Sequence, residues 1–299
     1  MKTVQVLMSS YNGEKYIREQ IDSILAQQGA NVKLLVRDDG SSDSTCDILK
    51  EYENKKLLEV IYGKNIGAFK SFLTLIDECN QADYYAYSDQ DDIWMSDKLI
   101  AGITKIEKND EDIPLLYCSA LQRVNEELKY QDIQSFRGLK TNIYSALVRE
   151  RLAGCTFVFN NKLLKLLNGS SKLNINYSHD SWTVLMCYAC GGKVIFDSVP
   201  HILFRRYGTN VSVDGGGLKK RIKHELRYLN KCKDQRFDVI KVLKEFRKEE
   251  ITEREIFDQI IHYKDSIWNT LKLAFNKKMD CGIKASNLIN KYIILRRCF

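Results

Sequence analysis

Tyr84-Tyr85-Ala86-Tyr87-Ser88-Asp89-Gln90-Asp91-Asp92 is an aromatic, β-prone segment that runs straight into three carboxylates. Its first five residues read as a buried strand. Three carboxylates in four residues repel one another unless a cation sits among them. A hard divalent metal with oxygen ligands meets that need, and Mg²⁺ commonly shares itself between one or two carboxylates and a substrate diphosphate. For the cluster taken alone, a solvated acidic turn is the plain alternative.

A second strand–acid junction stands upstream. Val32-Lys33-Leu34-Leu35-Val36 reads as a strand and leads into Arg37-Asp38-Asp39-Gly40-Ser41-Ser42-Asp43. By itself this stretch is ordinary turn chemistry. In open α/β sheets, ligands bind beyond the carboxyl ends of the strands. Two acidic strand ends therefore predict one shared pocket.

The surrounding pattern alternates strand and helix. Thr3 to Ser9, Leu58 to Tyr62 and Leu115 to Leu121 read as further strands. Glu14 to Gln27, Thr45 to Tyr52, Ala68 to Glu78 and Ser96 to Lys108 have apolar residues at helical spacing, with Ser44 or Asp43 as cap of the second. This β-α-β-α order predicts an α/β fold, Rossmann-like, with a mainly parallel sheet and helices on both faces. Little is legible between about 123 and 150. Thr156 to Phe159 reads as a strand, Asn161 to Leu167 as a helix, and His179 to Ala189 as an apolar helix. Two more strands are expected at Lys193 to Phe196 and Ile202 to Tyr207.

Gly215-Gly216-Gly217 marks a boundary. Residues 1–214 are expected to form the α/β domain and residues 215–299 a helical, basic C-terminal extension. Residues 218–299 carry 21 Lys and Arg against 11 Asp and Glu, a net of +10, while residues 1–217 net −3. Lys219, Lys220, Arg221, Lys223, Arg227, Lys231 and Lys233 concentrate that charge, either as a solvated helix face or as a contact for an anionic membrane surface. No nucleic-acid motif accompanies the charge, so nucleic acid is not expected as a partner. The 299 residues contain no apolar run of about 18 residues. Met1 to Gln5 enter a strand pattern at once, which predicts no signal peptide and a cytoplasmic protein, peripheral at the inner face of the cell membrane if the basic helices bind lipid. The nine scattered cysteines predict reduced thiols, and Cys187-Tyr188-Ala189-Cys190 reads as part of an apolar helix rather than a zinc or redox site.

Further segments fit the same sheet edge: Ser9-Ser10-Tyr11-Asn12-Gly13, Asn65-Ile66-Gly67, Ala153-Gly154-Cys155, Ser178-His179-Asp180-Ser181-Trp182 and Arg205-Arg206-Tyr207-Gly208-Thr209-Asn210. As an ordered set, from about residue 3 to 214, they resemble family 2 glycosyltransferases of the GT-A fold, within them the rhamnosyltransferase-like subgroup. The resemblance implies that Asp39, with Asp38 beside it, contacts the nucleobase of a nucleotide-sugar donor and that Tyr11 lines the base pocket. Ser9, Asn12, Asn65 and Gly67 belong to the same donor cleft. Asp89 and Asp91 match the pair that holds Mg²⁺ or Mn²⁺ on the diphosphate, and Asp92 is a neighbouring acid. Asp180 matches the catalytic base, framed by His179 and Trp182. Trp94, Gly154 and Cys155 fall where an acceptor or supporting residue stands, although both tryptophans read first as core aromatics and Gly154 as a point of close backbone approach. Relatives often carry a histidine where this chain has Tyr207, a poorer metal ligand because phenol keeps its proton to about pH 10. Arg205 or Arg206 is then the expected diphosphate contact.

The implied function is an inverting, metal-dependent transfer of a sugar from dTDP-rhamnose or a UDP-hexose to a saccharide acceptor, expected to be lipid-linked, in cell-surface polysaccharide assembly. Two alternatives stay open. A nucleotidyltransferase shares the α/β plan but needs a glycine-rich basic loop after the first strand, which Ser9 to Gly13 lacks. A catalytically degenerate nucleotide- or saccharide-binding protein would not need Asp89, Asp91 and Asp180 together.

Overall fold

The computed structural model describes residues 1–207 and 234–299. Its centre is β1 (Lys2–Ser10), paired in parallel with β2 (Ala30–Asp38) on one side and β4 (Tyr84–Ser88) on the other. β3 (Glu59–Tyr62) extends the parallel half beyond β2. Val4, Val6, Leu7 and Met8 of β1 have no exposure at all. A strand buried on both faces needs such a nearly continuous apolar run, here interrupted by the buried Gln5. The crossovers are α1 (Ile17–Leu25), α2 (Thr45–Asn54) and α3 (Ala68–Glu78). On α1, the buried Ile17, Gln20, Ile21 and Ile24 recur at i, i+3, i+4 and i+7, the spacing that lays one helical stripe on a sheet. Asp43, one of the two expected caps of α2, accepts from both the Thr45 N–H (3.0 Å) and the Thr45 hydroxyl (2.5 Å).

Beyond β4 the sheet changes character. β8 (Val158–Asn160) lies antiparallel between β4 and β6 (Leu115–Val124). β9 (Lys193–Arg205) runs parallel to β6, the two-residue β5 (Ile93–Trp94) pairs antiparallel with β9, and β7 (Tyr130–Ile133) forms a hairpin arm on β6. The order is β3-β2-β1-β4-β8-β6-β9-β5. The parallel expectation holds for the N-terminal half, and the later half is mixed. α4 (Lys98–Ile106), α6 (Asn161–Leu167) and α7 (His179–Ala189) complete this part.

Three local expectations are corrected. The two strands expected after Gly192 are one, β9, whose register slips opposite Ser119 to Gln122. There Asp197 accepts the Val199 N–H and Pro200 brings no N–H of its own, so the strand bends without ending. Thr156 belongs to a 3₁₀ turn (Gly154–Thr156) rather than a strand, its hydroxyl donating to Ala153 O at 2.8 Å. The illegible stretch holds β7 and α5 (Ile143–Val148), the latter capped by Asn142, whose side chain accepts the Ser145 N–H. Cys187 is buried on α7, and the eight described cysteines are free thiols.

The chain divides into two compact units. One comprises residues 1–136, 151–173 and 178–206, the other residues 137–150, 174–177 and 207–299. The second contains α5, α8 (Gln235–Phe246), α9 (Arg254–Ile261), α10 (Ile267–Ala274) and α11 (Lys284–Leu295). Its buried residues include Ile240, Leu243, Ile256, Phe257, Ile260 and Tyr263, and the N–H of the buried Phe299 donates to the Tyr263 hydroxyl at 3.1 Å. Gly215 to Gly217, the boundary at 214 and the basic run Lys219 to Lys233 lie outside the described residues, as do Gly208, Thr209 and Asn210. No helix among the described residues is long and apolar enough to cross a membrane.

Candidate active site

The carboxyl ends of β1, β2, β3 and β4 carry four of the motif loops, and hydrogen bonds lock these loops to one another. Ser10 Oγ donates to Asp38 Oδ1 (3.2 Å), and Asp38 also accepts the N–H groups of Gly40 (3.1 Å) and Ser41 (2.9 Å). Asn12, at φ 49°, accepts the Ser42 N–H on its side-chain oxygen at 2.8 Å. Asn is among the few residues that tolerate this left-handed backbone. Ser9 Oγ donates to Ser71 Oγ of α3 at 2.7 Å.

Asp39 ties the loop after β2 to the loop after β3. It accepts the N–H groups of the exposed Ile66 (2.8 Å) and Gly67 (2.9 Å) and makes a buried pair with Arg37 at 2.5 Å. Ile66 and Gly67, which follow Asn65, are therefore held by the same buried carboxylate, and Gly67 supplies the φ of 84° that starts α3. Asp38 and Asp39 are both buried and already act as loop anchors, whereas Tyr11 stands 46% exposed at the cleft rim. Gln90, which the sequence reading passed over, bridges that rim. Its amide donates to Tyr11 O (3.0 Å) and accepts the Tyr11 N–H (2.8 Å). Gly13 is what permits the approach, since a Cβ there would lie 2.4 Å from Gln90 Oε1.

The acidic loop sits at the centre. Ligand-capable atoms of Asp89, Asp92 and Cys155 lie within 4.8 Å of one another. Burial, then the charges of Asp91 and Asp180, push the Asp89 carboxyl up to about 7. Burial, then Asp91 and Asp89, raise Asp92 well above the usual carboxylate range. Four carboxylates thus share one electrostatic environment. Asp92 Oδ1 accepts the Arg205 N–H at 3.1 Å, and Oδ2 is buried without a partner. An orphaned carboxylate oxygen beside two further acids is a donor set suited to a hard divalent cation. Burial, then the charges of Asp92 and Asp89, raise the Cys155 thiol well above its ordinary value. Mg²⁺ and Mn²⁺ favour oxygen over soft sulfur, so the Cys155 thiol is a neighbour of the carboxylates rather than a fitting ligand. The Asp89 and Asp92 carboxylates are the oxygen ligands brought together here that fit Mg²⁺ or Mn²⁺, and Asp91 acts on both through its charge.

Asp180 lies in the first turn of α7, half-buried, accepting the Ser181 N–H at 2.7 Å, while Ser178 caps the helix. His179 is a wall of the site. Its ring stacks on Phe72 at 3.8 Å, Nε2 is buried without a partner, and burial lowers its basicity. The 3₁₀ turn approaches so closely that a Cβ on Gly154 would lie 2.6 Å from His179 Nε2 and 3.2 Å from Asp180 Cβ. Trp182 is fully buried with its N–H on Ser170 Oγ (3.1 Å), and Trp94 is 3% exposed. Both are core residues, not open sugar platforms.

Arg205 departs from expectation. Its guanidinium donates to Asp91 O (3.1 Å), Glu126 O (2.5 Å) and Glu19 (2.5 Å) and lies over the Tyr16 ring. It braces the acidic loop from behind instead of facing a diphosphate, because a buried guanidinium must satisfy its donors with fixed acceptors. Arg206 donates its main-chain N–H to Val124 O (2.8 Å), and Tyr207 is half-buried. Lys98 was missed altogether. It is 1% exposed, with Nζ 3.5 Å from the Trp94 ring centroid and no hydrogen-bond partner. Trp94 ends β5 and Lys98 opens α4, so no helical spacing in the sequence relates the two.

The profile described as Glycosyl transferase family 2 matches residues 5–164. The dTDP-rhamnosyl transferase RfbG of Shigella flexneri is 37% identical over 98 residues, 31% of this chain and 34% of RfbG. The UDP-Glc:alpha-D-GlcNAc-diphosphoundecaprenol beta-1,3-glucosyltransferase WfgD of Escherichia coli is 38% identical over 109 residues, 36% of this chain and 42% of WfgD. These matches span well under half of either relative. Among solved structures, S. aureus TarS 1-349 in complex with UDP-GlcNAc superposes with a TM-score of 0.60 at 16% identity, covering 99% of this chain and 91% of that one. GalNAc-T7 with UDP, GalNAc and Mn²⁺ gives 0.58 at 14% identity, covering 88% and 57%. At such identities the likeness is one of fold, the GT-A fold.

Proposed function

The chain belongs to glycosyl transferase family 2, and on that premise we propose that it moves a sugar from a nucleoside-diphosphate donor to a saccharide acceptor with inversion at the anomeric carbon. The observation that carries the reading is the acidic loop at the parallel sheet's carboxyl edge, with Asp180 close enough to act on the charge of Asp89. Asp180 takes the proton of the acceptor hydroxyl as that oxygen bonds to the anomeric carbon and the bond to the donor's diphosphate breaks. Asp89, Asp91 and Asp92 would hold Mg²⁺ or Mn²⁺, which when bound neutralises the charge growing on the departing diphosphate. Tyr11, exposed at the rim, offers a ring face to the base. Asp38 and Asp39 keep the base-side loops in place, together with Ser9, Asn12, Asn65 and Gly67.

A dTDP- or UDP-sugar donor and a lipid-linked acceptor in polysaccharide assembly are supported by what RfbG and WfgD are named for. Calorimetric titration of UDP, dTDP, GDP and CDP, with and without Mn²⁺, against wild type and Asp91→Ala tests the reading. Metal-dependent binding of one diphosphate, weakened in the variant, is expected. Failure of every diphosphate to bind would overturn it in favour of a degenerate binding protein.

A further inference from the structure

We propose that the outer face of α10 and α11 docks on an anionic lipid bilayer surface. Among the described residues, six of the fourteen exposed large hydrophobic side chains fall between residues 267 and 295. Their clustering asks for an occupant, because scattered exposed apolar residues need none whereas a contiguous patch does. On α10, Trp268 (77% exposed), Lys272 and Phe275 at its C-cap recur at i, i+4 and i+7. On α11, Lys284, Leu288 (66% exposed), Tyr292 and Leu295 share one stripe, opposite the buried Ser286, Asn290, Ile293 and Ile294. The two stripes adjoin, since Lys291 Nζ lies 5.6 Å from the Phe275 ring centroid.

Charge selects the partner. Ser266 to Phe299 carries seven Lys and Arg against one acid, Asp280. That acid is already paired with Lys140 at 2.5 Å. A protein partner favours an apolar centre depleted of lysine. Here lysines stand inside the apolar stripes, where their stems can lie along the apolar face and their ammonium groups reach outward to phosphate. Trp and Tyr beside Lys and Arg is the composition of a helix lying in a bilayer interface. The inference rests on this surface alone and does not depend on the transfer chemistry.

The test uses the full chain with phosphatidylcholine vesicles, with and without phosphatidylglycerol. Co-sedimentation is expected only with phosphatidylglycerol, and it should fall at least about tenfold in Trp268→Ser/Phe275→Ser/Tyr292→Ser and in Lys272→Glu/Lys291→Glu. Trp94 and Trp182 are buried, so a blue shift of tryptophan emission on vesicle binding reports Trp268 and should vanish in Trp268→Phe. Circular dichroism verifies that the variants fold. Binding to anionic vesicles undiminished in both multiple variants would overturn the proposal. So would light scattering that shows a dimer dispersed by the triple substitution, which would assign the face to a second copy of this chain.

Discussion

The main-chain N–H of Arg205 donates to Asp92 Oδ1 at 3.1 Å across 113 residues of sequence, so the end of β9 holds the last carboxylate of the acidic loop. The same residue's guanidinium reaches Asp91 O, Glu126 O and Glu19. β9 is thereby part of the site's frame, and the loop's shape depends on it.

Arg205→Ala is expected to lower unfolding free energy by on the order of 3 kcal/mol, since it leaves buried carbonyls unpaired. Glu19 is largely exposed and adds little to that loss. Arg206→Ala should cost far less. Urea unfolding of the two variants compares them, and equal losses would contradict the bracing role.

Gly154→Ala puts a methyl group 2.6 Å from His179 Nε2. His179 is stacked on Phe72 and cannot readily swing aside. Overpacking of about 1–3 kcal/mol follows, and Asp180 must shift with its neighbour. The melting temperature should fall, and the transfer rate should fall further than stability alone explains.

Asp180→Asn keeps the shape of the α7 N-terminus but cannot take a proton. The transfer rate is expected to drop by roughly 10²–10⁴-fold, with metal-dependent diphosphate binding intact. Asp91→Asn should weaken that binding itself. Titration calorimetry beside a donor-consumption assay separates the two patterns. Identical behaviour of the two variants would remove the division of roles.

Burial holds Lys98 down to about 7, against the opposing pulls of Cys155 and Asp92. In the unfolded chain a lysine titrates near about 10.4. Between those values the unfolded state binds a proton that the folded state does not. Stability attributable to Lys98 is therefore highest above about pH 10 and declines as pH falls to about 7. Lys98→Met keeps the apolar stem and removes the charge. It should raise the melting temperature at pH 7 by on the order of 5 °C and flatten this slope relative to wild type. Calorimetric scans across pH 7–10 check it, and parallel curves for the two proteins would sink the idea.

Local pattern made much of the fold legible. α3, β4, α6 and α7 begin and end where apolar spacing places them, because a stripe of Phe72, Leu73 and Ile76 or an unbroken Tyr84 to Ser88 run has one way to be buried. Asp38, Asp39, Asp89 and Asp180 were visible as acids at element ends. β5, with two residues, and β7, exposed along its whole length, carry too little apolar signal to be read. Gln90 and Lys98 went unread because an amide and a lysine in a polar stretch look like surface residues until their burial is known.

The sequence by itself determined most of the strands and helices, that carboxylates end two parallel strands, and which family the chain joins. These are properties of short windows, set by side-chain periodicity and by residue type at a turn. Tertiary structure alone decided that β8 runs antiparallel between β4 and β6, that Cys155 comes beside Asp89 and Asp92, that Gly154 lets the 3₁₀ turn reach His179, and that Arg205 turns inward. Each joins residues far apart in the chain. Such contacts are chosen by the packing of whole elements, where buried donors must find acceptors and buried charges must find partners wherever the fold has placed them.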